Sequence, residues 1–279
     1  MCGIVGVTGT PDAAHVLLEG LKRLEYRGYD SAGIAIVRPD GQHVVKEKGK
    51  IRNLEEKLIA DDMVGTCGIG HTRWATHGAP NTINSHPHVS GHVALVHNGI
   101  IENFGALKVQ LGKQGHVFES DTDSEVLAHL IEELYKGDLV KAVQQALQLV
   151  DGAFGIAVTH TDHPDLIVGA RRGSPLVVGV GEGANYLASD VAAIMGQTRQ
   201  VIYLDDGDMV TLTPEGVDTF NVNNEPVTKE IQEITWDLDA IQKGGYEHFM
   251  LKEIFEQPQT IQDSFRGRIL PDTGDVKLG

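Results

Sequence analysis

The chain has 279 residues, 41% hydrophobic and 22% charged, which suits a globular protein with ample core in one large domain or two small ones. A formal charge of −16 argues against nucleic acid or an anionic membrane as partner, yet leaves room for a small anionic substrate gripped by a local Arg. Only two cysteines occur, Cys2 and Cys67, with no disulfide framework, no signal-like leader before Cys2 and no apolar stretch of about 18 residues; cytoplasmic localisation and no membrane span are expected.

Gly3 to Val7 is an apolar run that reads as a buried strand. Thr10-Pro11-Asp12 then reads as a helix start with Pro at the first helical position, and Val16, Leu17, Leu21 and Leu24 recur at helical spacing up to Arg27-Gly28. Ala32–Val37 and His43–Lys46 alternate as strands around Pro39-Asp40-Gly41, and Ile51–Ala60 reads as a short helix. Cys67–His71 and Val93–Val96 are apolar strands separated by an irregular polar loop. Helices are predicted near Asn103–Gln114, Asp123–Lys136 and Leu139–Val150, followed by strands at Gly155–Val158, Leu166–Val168, Leu176–Val180, Val201–Leu204 and Met209–Leu212. Two strand blocks separated by helices predict an α+β domain, with helices outside stacked sheets. Asn221–Thr228 reads as polar strand, Trp236–Gly245 as a connector, and Glu247–Phe265 as a helix interrupted at Pro258. That last helix has no evident partner within the chain, so a piece of a longer protein is expected.

Cys2 carries the sharpest chemistry. Once Met1 is removed, its thiol and its own α-amine form a nucleophile and base on one residue, with ordinary pKa values of about 8.5 and about 7.7–8.0. The loop His71-Thr72-Arg73-Trp74-Ala75-Thr76-His77-Gly78 follows a strand. It offers a guanidinium for a carboxylate (Arg73), an indole to cover a pocket (Trp74), and Thr76 and His77 to finish the cage. Asn98-Gly99 reads equally as a hairpin turn or as a pair of oxyanion donors. Asp123 reads as a helix cap, a first-turn acid or an ammonium ligand. His86-Pro87-His88 with His71, His77, His92 and His97 raises a metal site, but the spacing matches no standard ligand pattern and no metal or other cofactor is expected. Gly179-Val180-Gly181-Glu182-Gly183 reads as a turn, because Glu182 would repel phosphate. Nucleophile, oxyanion donors, carboxylate clamp and ammonium clamp together describe a site for an α-amino acid with a carbonyl electrophile in its side chain, which glutamine satisfies.

Met1-Cys2-Gly3-Ile4-Val5-Gly6, Tyr26-Arg27-Gly28-Tyr29-Asp30-Ser31-Ala32-Gly33, the His71–Gly78 loop and His97-Asn98-Gly99-Ile100-Ile101-Glu102-Asn103 resemble the glutaminase half of the glucosamine-6-phosphate synthase family. These are the isomerising glutamine–fructose-6-phosphate aminotransferases, within the class II N-terminal-nucleophile amidotransferases. The resemblance runs over nearly the whole chain. It implies a four-layer αββα sandwich over residues 2–240, with 241–279 opening a sugar-isomerase domain otherwise missing. It implies Cys2 as nucleophile, Asn98 and Gly99 as oxyanion hole, and Arg73 and Asp123 as clamps on the α-carboxylate and α-amine of glutamine. Thr76 and His77 match further pocket positions, Trp74 the lid, and Arg27 and His86 supporting positions. The implied activity is hydrolysis of L-glutamine through a γ-glutamyl thioester, with ammonia passed to a fructose 6-phosphate site in the missing domain of a homo-oligomeric full-length enzyme. The rival readings are a glutaminase module serving another acceptor and a non-catalytic glutamine-binding regulatory module.

Overall fold

The computed structural model describes residues 2–61, 63–75, 78–235, 246, 248–265, 269–270 and 275–276. The chain divides into two compact units, Met1–Ile234 and Thr235–Gly279.

The first unit is a four-layer αββα sandwich. Its strands are β1 (Gly3–Thr8), β2 (Ser31–Arg38), β3 (Gly41–Lys48), β4 (Cys67–Arg73), β5 (His88–Ser90), β6 (Val93–Ile101), β7 (Gly152–His160) and β8 (His163–Arg172). Further on come β9 (Val177–Val180), β10 (Asn185–Ala188), β11 (Gln200–Tyr203), β12 (Asp208–Leu212), β13 (Val217–Asn221) and β14 (Gln232–Glu233). One sheet has eight strands in the order β14-β11-β9-β10-β1-β4-β2-β3; the other has six in the order β13-β12-β8-β7-β6-β5. Every pairing within them is antiparallel. Helix α1 (Ala13–Leu24) packs on β1 and β4, and α2 (Ile51–Ala60) on β3. Helices α3 (Phe104–Lys113), α4 (Asp123–Leu134) and α5 (Leu139–Leu149) cover the six-stranded sheet.

Strand alternation builds the layers. Along β1, Ile4 joins the core between the sheets while Val5 lies against Gly20 of α1. Cys67 and Ile69 of β4 and Ala94 and Val96 of β6 also enter that middle core, whereas Val93 and Leu95 face the helices. Removing such apolar side chains from water contributes about 25 cal/mol per Å², which makes this dry middle layer the rigid base of the fold.

Several boundaries differ from the sequence reading. Helix α1 begins at Ala13, not at Pro11, because Asp12 forms a β-bridge with Gly65. The polar strand expected at 221–228 lies earlier, at β13; Asn224 takes a left-handed φ of 64° and turns the chain back, so that Val227 N donates to Thr219 O. Strands β5 and β10 were not anticipated, being only three and four residues long. In the second unit, the helix Phe249–Phe265 runs through Pro258 without a break; proline there withdraws one N–H and does not end the helix. The Trp236–Gly245 connector lies outside the described residues. Among the described residues, no helix is long and apolar enough to cross a membrane.

Candidate active site

The inner-face stripes of three strands lose their apolar character at one end of the sandwich. Cys2 continues the Ile4 stripe of β1, His71 and Arg73 continue the Cys67–Ile69 stripe of β4, and Asn98 continues the Ala94–Val96 stripe of β6. Register aligns them, since Ile4 pairs with His71 and Gly3 with Thr72. The result is a pocket of about 360 Å³ lined by Cys2, Arg73, Trp74, Asn98, Gly99 and Asp123, with Arg27 and His86 also on its wall.

Cys2 Sγ accepts a hydrogen bond from Trp74 N at 3.2 Å, and its thiol lies 3.6 Å from the Trp74 carbonyl oxygen. Burial pushes the Cys2 thiol above its ordinary range, and the Trp74 N–H opposes that only in part. The resting sulfur therefore keeps its proton and needs a base beside it to become a nucleophile.

Asn98-Gly99 is not a hairpin turn. Both residues lie inside β6, opposite Gly155 and Phe154 of β7. Asn98 Nδ2 donates to the Cys2 carbonyl oxygen at 3.3 Å, and Asn98 Oδ1 lies 3.0 Å from His71 Nε2. Gly99 takes a φ of +133°, and a Cβ there would sit 2.0 Å from the Ala153 carbonyl oxygen, so only glycine fits.

Asp123 is not the helix cap. That role falls to Thr122, whose hydroxyl accepts from Glu125 N, while the Asp123 carboxylate accepts from Ile101 N at 2.8 Å and ties α4 to the end of β6. Arg73 is buried and donates to the carbonyl oxygens of Ala79 (3.2 Å) and Gly78 (3.4 Å), which aims the guanidinium from the base of its loop. Trp74 is 46% exposed at the mouth, edge-on to Tyr29 with ring centroids 5.2 Å apart. The next residue, Ala75, donates its N–H to Asp30 Oδ2. Arg27 pairs with Asp190 at 2.9 Å. The His86 ring is buried, 4.1 Å from the His71 ring and 4.7 Å from that of His88. Thr76 and His77 lie outside the described residues. Among the described residues, no group of three or more His, Cys, Asp or Glu side chains is placed to hold a metal ion.

Three residues that the sequence reading gave no role in this pocket belong to the site, His71 and His97 having entered it only as candidate metal ligands and Ser189 not at all. His71 bonds Asn98; His97 turns to the helix side, where its Nδ1 lies 2.9 Å from Ser124 Oγ; and Ser189 Oγ accepts from Ile4 N at 2.9 Å, which holds β1 behind Cys2. Period-two counting back from Arg73 puts His71 on the same face, a signal present in the sequence. Nothing local marks Ser189, which reaches β1 from 185 residues away.

Residues 71–196 match the glutamine amidotransferase domain family. A glutamine–fructose-6-phosphate aminotransferase (isomerizing) of Thermus thermophilus is 54% identical over 281 residues, covering all of this chain and 46% of that protein. The protein of the same description from Chlorobaculum tepidum is 52% identical, covering all of this chain and 47% of its own length. The chain thus spans about half the length of these curated relatives. Among solved structures, the glutamine phosphoribosylpyrophosphate amidotransferase from B. subtilis, complexed with ADP and GMP, matches with a TM-score of 0.69 at 29% identity over 79% of this chain and 49% of that one. A glutamine aminotransferase class-II domain protein from Silicibacter pomeroyi matches with a TM-score of 0.55 over 79% of this chain and 99% of its own; at 17% identity that is a likeness of fold.

Proposed function

We propose that this chain, a member of the N-terminal-nucleophile class of glutamine amidotransferases, hydrolyses L-glutamine to glutamate and ammonia through a γ-glutamyl thioester on Cys2. The observation that carries this reading is the Cys2 sulfur in one pocket with Asn98, whose side-chain nitrogen is already turned toward Cys2. With Met1 removed, the Cys2 α-amine takes the thiol proton and Sγ attacks the side-chain amide carbon of glutamine. The oxyanion forms between Asn98 Nδ2 and Gly99 N, donors each worth about 10²–10³ in rate. The protonated amine returns its proton to the leaving nitrogen, ammonia departs, and water cleaves the thioester to release glutamate. Arg73 grips the α-carboxylate, Asp123 the α-ammonium, Thr76 and His77 complete the cage, and Trp74 covers the mouth. Arg27 and His86 support the wall.

In the full-length enzyme, the ammonia passes to fructose 6-phosphate to give glucosamine 6-phosphate. The glutaminase domain covers residues 2–240, and 241–279 open the isomerase domain of a cytoplasmic homo-oligomer that binds neither nucleic acid nor membrane. The descriptions of the relatives and the half-length coverage support the acceptor reaction and the division into domains; the formal charge of −16 supports the lack of a nucleic-acid or anionic-membrane partner, and the two free cysteines suit a reducing compartment.

The test is glutamate release from L-glutamine, with intact mass read on the same sample. Activity in protein lacking Met1, and little in protein retaining it, is expected; full activity with Met1 intact refutes the built-in base. Amino-sugar product from this chain alone refutes the division of labour.

A further inference from the structure

We propose that His71 is the positioning residue of the oxyanion hole: in its Nε2–H tautomer it holds the Asn98 amide with nitrogen toward Cys2. This rests on the glutaminase reading above.

Asn98 lies in the six-stranded sheet, and both groups that hold its amide belong to the other sheet side of the gap: the carbonyl of Cys2 ahead of β1, and the ring of His71 in β4. A carbonyl oxygen only accepts, so the Asn98 atom 3.3 Å from Cys2 O is the NH₂ group. The atom facing His71 is then Oδ1, also an acceptor, and at 3.0 Å it needs a proton on Nε2. The ring is wholly buried, and burial lowers His71 to about 3, so near neutral pH it carries a single N–H. The rival tautomer sends that proton from Nδ1 toward the His97 backbone, but Nδ1 makes no hydrogen bond of acceptable geometry there. It would also set the Nε2 lone pair against Asn98 Oδ1, flip the amide, and bring two oxygens face to face at Cys2. With Nε2 protonated, one Asn98 N–H is taken by Cys2 O, and the other is left to meet a developing oxyanion. His71 touches neither nucleophile nor substrate; it acts through Asn98.

Two measurements test this on chain lacking Met1. The first is ¹⁵N NMR of histidine-labelled wild-type protein, which reads the tautomer with no variant to fold. A proton on Nε2 of His71 is expected; a proton on Nδ1 overturns the proposal. The second compares glutamine hydrolysis by wild type, H71L, H71Q, N98A and H71L/N98A. We expect H71L to lower kcat about 10²-fold, as for loss of one oxyanion donor, with KM within about threefold. H71Q, which keeps an amide N–H, recovers part of that loss. In the double variant, H71L adds almost nothing to N98A, because both remove the same donor. Multiplying losses, or wild-type kcat in folded H71L, overturns the proposal. An inactive wild type with an Nε2 proton instead refutes the glutaminase reading and leaves the His71 geometry standing.

Discussion

The two ends of β6 hold similar residues and use them differently. At the Ile101 end, His97, Asn98, His71 and His86 are gathered, and the hydrogen bonds that matter join residues 27 and 96 positions apart across the two sheets. At the Val93 end, His92, His160, His163 and Tyr135 also cluster, but their bonds tie the β7–β8 turn to the end of α4 and to the β5–β6 turn, where His92 Nδ1 lies 2.8 Å from Thr161 Oγ1, and none of these residues lines the pocket. His160 Nδ1 accepts from Asp162 N at 3.0 Å, the Tyr135 ring stacks on His160 at 3.8 Å, and Tyr135 Oη lies between Asp162 (3.1 Å) and His163 (3.0 Å). A polar cluster that links outer turns to a helix end, away from the pocket, stabilises those turns. One that ties distant strands together, with donors left facing a pocket, is organised for chemistry.

Cys2→Ala gives the largest expected separation between the ends. It removes the nucleophile and lowers glutamine hydrolysis by at least about 10⁴-fold, while urea unfolding stays near wild type. Wild-type turnover in that variant would move the chemistry away from this end. Gly99→Ala comes next: its Cβ would collide with the Ala153 carbonyl oxygen in a backbone at φ +133°. A fall in kcat of about 10²–10³ is expected, with a loss of unfolding free energy as β6 shifts from β7. Arg73→Lys exchanges a two-pronged donor for a point charge and should raise KM for glutamine about 10-fold or more, with kcat less affected. Steady-state kinetics on the three variants checks the order.

Much of this was legible in the sequence, in proportion to how local the signal is. Helices α2 to α5 follow from apolar spacing, and Cys2 declares itself by following Met1 and preceding an apolar strand. Asn98-Gly99 was ambiguous, because the same dipeptide serves a hairpin turn and a strand that needs glycine for close approach; only the pairing of β6 with β7 decides. Strand β10 was illegible for a related reason. Asn185–Ala188 is short and buried on both faces, so it lacks an alternating pattern and becomes a strand by lying between β9 and β1. Asp123 looked like a cap because it opens a helix, yet its partner is the Ile101 N–H, 22 residues back.

Acid separates the ends less sharply. Burial holds His71, His86, His88 and His97 below the ordinary histidine value, His71 at about 3. At the far end, burial also holds His160 down, at about 4. In the unfolded chain these rings titrate near 6.5, so at lower pH the unfolded state binds more protons than the folded one. Their contribution is complete above about pH 6.5 and is lost as pH falls toward the folded values, with a slope of up to about 1.4 kcal/mol per pH unit for each ring. Urea unfolding at pH 7.5, 6.5 and 5.5 should show stability falling with acid. His86→Leu should flatten that fall, and an unchanged slope would mean the ring is charged in the folded protein.

Tyr135→Phe should have the smallest effect, and it tests the far end directly. The change keeps the ring on His160 and removes only the hydroxyl shared by Asp162 and His163. Asp162 is largely exposed and regains water in place of the lost bond, so the net cost should be about 0.5–1.5 kcal/mol, the worth of an ordinary hydrogen bond. Turnover should stay at the wild-type value, because Tyr135 and its partners lie outside the pocket lining and the apolar middle of β6 separates the β7–β8 turn from Asn98. A drop in kcat with KM unchanged would show that this turn sets the register of β6 at Gly99, and the two ends would then be one device rather than two.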